Sequence, residues 1–131
     1  MELLRQWGLA SVAKKSSRTA KDGMIEAYIH AGGRIGVLVE LNCETDFVAR
    51  TPEFQALAHD IALQIAAMNP QIVDDERPLE DLDSSHGEPR LLHQPFIKDS
   101  SRSVRDIVSD VVARTGENIQ VRRFIRFELG T

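Results

Sequence analysis

This chain of 131 residues has one cysteine, one tryptophan and one tyrosine, and aromatic residues make up only 5% of it. The single thiol, Cys43, cannot close an internal disulfide, so nothing points to a disulfide-built secreted scaffold and a reducing cytoplasm is the expected compartment. There is no run of about 18 apolar residues to span a bilayer. The opening MELLRQWGLASVAKK has too short an apolar stretch for a secretory signal. Positive charge is in the minority: 16 Lys and Arg against 20 Asp and Glu give a net charge of -4. That balance argues against a general electrostatic grip on nucleic acid. The four histidines (His30, His59, His86 and His93) stand singly rather than in the close pairs that zinc sites use. No glycine-rich loop follows a strand to cradle a phosphate, because Gly32 and Gly33 fall where a hairpin must turn.

A hydrophobic content of 42% over this length is enough for one core and one domain. Charge is unevenly spread along the chain. Met1 to Lys21 carries five basic residues and one acidic, while Ile72 to Pro89 carries seven acidic residues and one Arg.

Periodicity then orders the elements. Leu3, Leu4 and Trp7 have helical spacing, and Gly8 breaks it. GMIEAYIH alternates with Ile25, Ala27 and Ile29 on one face, RIGVLVELN alternates with Ile35, Val37, Val39 and Leu41, and AGGR between them predicts a β-hairpin. Thr51 as N-cap, Pro52 at the first position and Glu53 in the first turn predict a helix. Its apolar stripe is Phe54, Leu57, Ala58, Ile61, Ile65 and Met68, and Asn69-Pro70 ends it. Residues 71–102 hold no sustained period and read as a long loop with one short helical turn. Ser103 and Gly116 bracket a second helix, with Val104, Ile107, Val108, Val111 and Val112 on its apolar face. The closing NIQVRRFIRFELG predicts a third strand with Ile119, Val121, Ile125, Phe127 and Leu129 buried, which leaves Phe124 to emerge on the opposite face. The expected fold is therefore α+β, a small three-stranded antiparallel sheet with helices packed on one face.

Several residues could carry chemistry. Cys43 as a nucleophile would need His59 or His30 as base and Asp46 as orienter, but Glu44 and Asp46 beside it would raise its pKa, and a small packing residue is the plainer reading. A metal site from Glu40, Cys43, Glu44, Asp46 and a histidine lacks the paired ligand spacing. Arg122, Arg123 and Arg126 could touch RNA, yet no aromatic platform accompanies them and a solvated face accounts for them. Phe47 sits in the short joint between a strand and a capped helix. It could point outward, or it could fold back onto its own helix as a staple. Spacing favours the staple.

The stretches GVLVELNCETDFVAR and FQALAHDIALQIAAMNP resemble the core of bacterial translation elongation factor Ts, whose hallmark is a Thr-Asp-Phe-Val motif, here Thr45, Asp46, Phe47 and Val48. GLASVAKKSSRTAKDG is similar to the family's junction into the core, HQPFIKD to its return segment and GENIQVRRFIRFELG to its closing strand. The resemblance implies a guanine-nucleotide exchange factor for elongation factor Tu with no enzymatic chemistry of its own; with the residue readings above, no cofactor, metal, directly bound nucleotide or nucleic acid is expected. It also implies that Asp46 and Phe47 meet the partner's GTPase domain, the Phe47 ring wedging between two helices there, with Thr45 and Val48 completing the partner-binding motif. The alternative is a partner-binding or scaffold domain without exchange activity. On the same resemblance, residues 1–22 would be a residual N-terminal helix and junction, and residues 23–131 a core of the dimerisation type. The loop at about 71–102 would stand where family members commonly carry a long helical hairpin. A single core implies a homodimer through the small sheet or the C-terminal strand.

Overall fold

The computed structural model describes Lys15 and residues 17–131. The expected N-terminal helix at Leu3, Leu4 and Trp7 lies outside the described residues. Strand β1 (Asp22–Ile29) and strand β2 (Ile35–Cys43) form the expected antiparallel hairpin, closed by His30 N–H donating to the Ile35 carbonyl at 2.9 Å and by Gly32 and Gly33 at φ 95 and 69. Strand β5 (Gln120–Glu128) pairs antiparallel with the other edge of β2, giving the order β1-β2-β5. Gly23 is required where the start of β1 lies against the end of β2. Its φ is 137, and a Cβ there would stand 2.1 Å from the Leu41 carbonyl oxygen.

One helical turn, α1 (Asp46–Ala49), leads into α2 (Pro52–Met68). Thr51 caps α2 with its hydroxyl accepting from Phe54 N–H, and Asn69 ends it at φ 49 in the left-handed region. Phe54, Leu57, Ala58, Ile61 and Ile65 pack under Val37, Val39 and Leu41 of β2. Met68, expected in the same stripe, is exposed at the last position of the helix. Helix α3 (Val104–Thr115) closes the layer. Its capping box joins Ser103 and Asp106, and its five expected apolar residues are buried.

The segment from Gln71 to Ser103 is more ordered than a loop. Two single 3₁₀ turns occur at Leu79–Asp81 and Leu91–His93, and β3 (Pro95–Phe96) pairs with β4 (Asp99–Ser103). A buried amide holds this segment on α2. Gln64 donates to the Gln94 side chain and to the Pro95 carbonyl, and accepts from Ile97 N–H at 2.9 Å.

The expected phase of the last strand is corrected. A bulge sets Glu40 opposite Arg123 and Leu41 opposite Val121, leaving Arg122 unpaired between them. One extra residue exchanges the two faces of a strand. Val121 is therefore buried as expected, but beyond the bulge Phe124 packs against the core, while Ile125, Phe127 and Leu129 face outward. On β1, Met24 and Tyr28 pack against the core, and Ile25 and Ile29 lie exposed on the outer face with Leu38. Among the described residues, no helix is long and apolar enough to cross a membrane.

Candidate functional site

The joint between β2 and α2 is built from tandem caps. The Thr45 hydroxyl accepts from Val48 N–H at 3.3 Å and starts α1. Six residues later Thr51 ends α1, its hydroxyl donating to the Val48 carbonyl at 2.7 Å, and starts α2. The two caps fix where each helical turn begins and ends. Val48 and Ala49 point into the core, with Val48 only 5% exposed. Phe47, on the opposite side of the same turn, is 78% exposed. It does not fold back as a staple. Asp46 lies beside it in solvent, paired with Arg50 at 3.1 Å.

An exposed phenylalanine on a rigid turn is poorly suited to stability and well suited to recognition, because its apolar area is removed from water only by a partner. Of the four residues in the motif, Thr45, Asp46 and Phe47 are exposed to solvent and only Val48 is buried. Val48 anchors the turn from below, and Thr45 caps it.

Cys43 is fully buried, and its thiol donates to the Thr45 carbonyl at 3.1 Å. Burial, reinforced by the Glu117 carboxylate, pushes the thiol up to about 11, so it stays protonated and unreactive near neutral pH. The histidines proposed as its base are engaged elsewhere: His30 Nδ1 with the Tyr28 hydroxyl at 2.9 Å and His59 Nδ1 with Glu26 at 3.1 Å. The structure thus removes the nucleophile reading.

The metal reading falls in the same way. Glu40 is held by Asn42 and Arg123, Glu44 by the backbone N–H of Asn118, and Asp46 by Arg50. Among the described residues, only Asp74, Asp75 and His93 come together at ligand spacing. Their carboxylates already serve His93, Arg105 and Arg90. The arginine triplet forms no platform either. Arg123 pairs with Glu40 at 2.8 Å, and Arg126 donates to the Ala66 carbonyl in the last turn of α2, where a cation also complements the negative end of the helix dipole.

Sequence reasoning passed over the residues that hold the joint from outside. Gly116 ends α3 at φ 77, and the next two residues reach across to the turn. Glu117 accepts from the backbone N–H groups of Glu44 and Thr45, both at 3.0 Å, and from the Thr45 hydroxyl at 2.7 Å. Asn118 N–H donates to the Glu44 carboxylate at 2.6 Å. The local signal in GEN was a helix stop only. Nothing in the sequence pairs Glu117 with a residue 73 positions earlier.

Comparison with known proteins points to one family. The family model described as Elongation factor TS matches residues 10–86. Elongation factor Ts of Carboxydothermus hydrogenoformans is 46% identical over 160 aligned positions, which cover 99% of this chain and 74% of that protein. The Heliobacterium modesticaldum protein of the same name is 47% identical, with 97% and 73% covered. That of Methylacidiphilum infernorum is 48% identical, with 97% and 77% covered. The first alignment is longer than this chain, so that relative carries residues within the matched span that have no counterpart here.

Proposed function

The chain belongs to the elongation factor Ts family of translation elongation factors, and from that premise we propose that it binds elongation factor Tu and promotes GDP release by inserting Phe47 into the GTPase domain. The supporting observation is the exposure of Phe47 on a turn whose other side is anchored in the core by Val48. A ring fixed on a rigid scaffold enters a groove between helices with little ordering cost. Asp46 beside it supplies a charge that orients the contact. Thr45, exposed beside them, completes the contact and caps the turn, while buried Val48 serves the partner indirectly by anchoring it.

The physics of exchange is linkage. A protein that binds the nucleotide-free partner more tightly than the GDP form weakens GDP binding by the same factor, and a coupling of ~3 kcal/mol amounts to more than 100-fold. No covalent chemistry by this chain enters the account. Labelled GDP on elongation factor Tu should leave faster when the chain is added, and Phe47→Ala should lose most of that acceleration. A wild-type chain that binds the partner yet leaves release unchanged would make it a binding or scaffold domain instead.

The second element of the proposal is a homodimer through the outer face of the sheet. Ile25, Ile29, Leu38, Ile125 and Phe127 form an apolar surface there, with Phe127 69% exposed, and a second copy would remove it from water. Because of the bulge, Ile125 and Phe127 rather than Phe124 would lie in the seam. Light scattering after size exclusion tests it: a dimeric mass that Phe127→Asp reduces to a monomer is expected, and a monomeric mass for the wild type at tens of micromolar would refute it.

A further inference from the structure

We infer that Glu117 is a positioning residue for exchange, holding the turn that bears Phe47 in its docking geometry; this rests on the reading of Phe47 given above. The turn itself is short of internal constraints. Its one helical turn, Asp46–Ala49, is too brief to be stable alone, since the first hydrogen-bonded turn fixes several residues for very little gain. Its geometry must be imposed from outside.

Val48 imposes it from below, but a buried valine fixes depth better than rotation. Glu117 fixes the rotation. One carboxylate oxygen takes the N–H groups of Glu44 and Thr45, and the other takes the Thr45 hydroxyl proton. A hydroxyl has one proton, so donating it to Glu117 aims the remaining lone pairs at Val48 N–H, which is the contact that starts α1. Hydrogen bonds to an ionised carboxylate are roughly twice as strong as neutral ones, and three of them converge here. The carboxylate is held in turn. Glu117 N–H donates to the Thr115 hydroxyl, Asn118 N–H returns a bond to Glu44, and the Asn118 side chain donates to the Arg18 carbonyl. The left-handed Gly116 makes the turn from α3 that allows this approach.

The consequence is a split in kinetic behaviour. Without Glu117 the turn samples other orientations, the docking-competent fraction falls, and apparent affinity falls by that fraction while a bound chain remains fully active. Removing the ring leaves binding contacts in place but abolishes their effect on the nucleotide. The two variants should therefore differ in kind.

The test follows GDP release from elongation factor Tu against chain concentration for the wild type, Phe47→Ala, Glu117→Ala, Glu117→Gln and the Phe47→Ala/Glu117→Ala double variant. For Glu117→Ala the half-saturating concentration should rise about tenfold with the plateau rate retained. Glu117→Gln keeps one oxygen for the two backbone N–H groups and should fall between. Phe47→Ala should lose the plateau, and adding Glu117→Ala should cost nothing further. Amide hydrogen exchange of the free chain supplies an independent readout: the Glu44, Thr45 and Val48 amides should lose protection in Glu117→Ala while those of α2 keep theirs. An unchanged concentration dependence in both Glu117 variants, an equal further loss in the double variant, or loss of α2 protection would overturn the inference and leave the Phe47 reading standing. A wild-type chain without effect on GDP release would overturn both.

Discussion

The two connections that leave α2 use opposite means. At its start, seven residues from Thr45 to Thr51 hold two caps, a buried valine and an exposed phenylalanine. At its end, the chain from Gln71 to Gln94 has no comparable exposed aromatic ring and is stitched together by side chains. Gln71 N–H donates to the Pro89 carbonyl at 2.7 Å, Arg90 pairs with Asp75 and Glu88, and Asp74 takes both His93 and Arg105. The first connection spends its constraints on presenting one ring to solvent, and the second spends them on staying closed. The contrast teaches where to look for function: at an apolar group kept in water by structure that could easily have buried it.

Four substitutions sharpen or break the contrast, from the largest loss of stability to the smallest. Gln64→Ala removes the amide under the rear connection and leaves Ile97 N–H and the Gln94 side chain without their buried partner, so chemical denaturation should report a loss of about 3 kcal/mol. Val48→Ala deletes two buried methyl groups under the front connection, at about 2 kcal/mol.

Asp74→Asn comes next, at ~1 kcal/mol or less, because the pairs it serves are partly solvated. Its signature is the pH dependence. Burial alone would raise the Asp74 carboxyl, but hydrogen bonds from His93 and Arg105 outweigh burial and hold it below the usual range. A carboxyl depressed in the folded state stabilises above its unfolded pKa of about 3.9, and that contribution disappears as pH falls through the folded value. Wild-type stability should therefore decline more steeply below about pH 4 than that of Asp74→Asn. Equal slopes would show that the rear connection is not held by this carboxylate.

Phe47→Ala should change stability by no more than about 0.5 kcal/mol, since its ring touches mostly water. A large loss would mean the ring is structural, and the contrast between the two connections would fail. Neighbouring positions should thus separate cleanly: Val48 by denaturation, Phe47 by activity.

The legible parts of this fold were those with local causes. Thr51-Pro52 and the bracket of Ser103 and Gly116 announced two helices because caps act within one turn, and Gly32-Gly33 announced the hairpin. The phase of β5 was illegible because a bulge depends on the partner strand. VRRF fits either face until Glu40 and Leu41 of β2 choose Arg123 and Val121. The pairing of Pro95–Phe96 with Asp99–Ser103 was too short to leave a period. At the site, the spacing around Phe47 favoured a staple, and it took the resemblance to elongation factor Ts to place the ring outside. Glu117 was invisible to both, since its partners lie more than seventy residues away.

The central claim is that Phe47 couples partner binding to nucleotide release, and its most direct test is a pair of affinities. Calorimetry would give the dissociation constant of this chain for nucleotide-free and for GDP-bound elongation factor Tu. The ratio should be on the order of 100-fold, should equal the factor by which the chain weakens GDP binding, and should collapse toward unity in Phe47→Ala. Equal affinity of the wild-type chain for the two forms would contradict the account, because a ligand that does not distinguish two states cannot shift them.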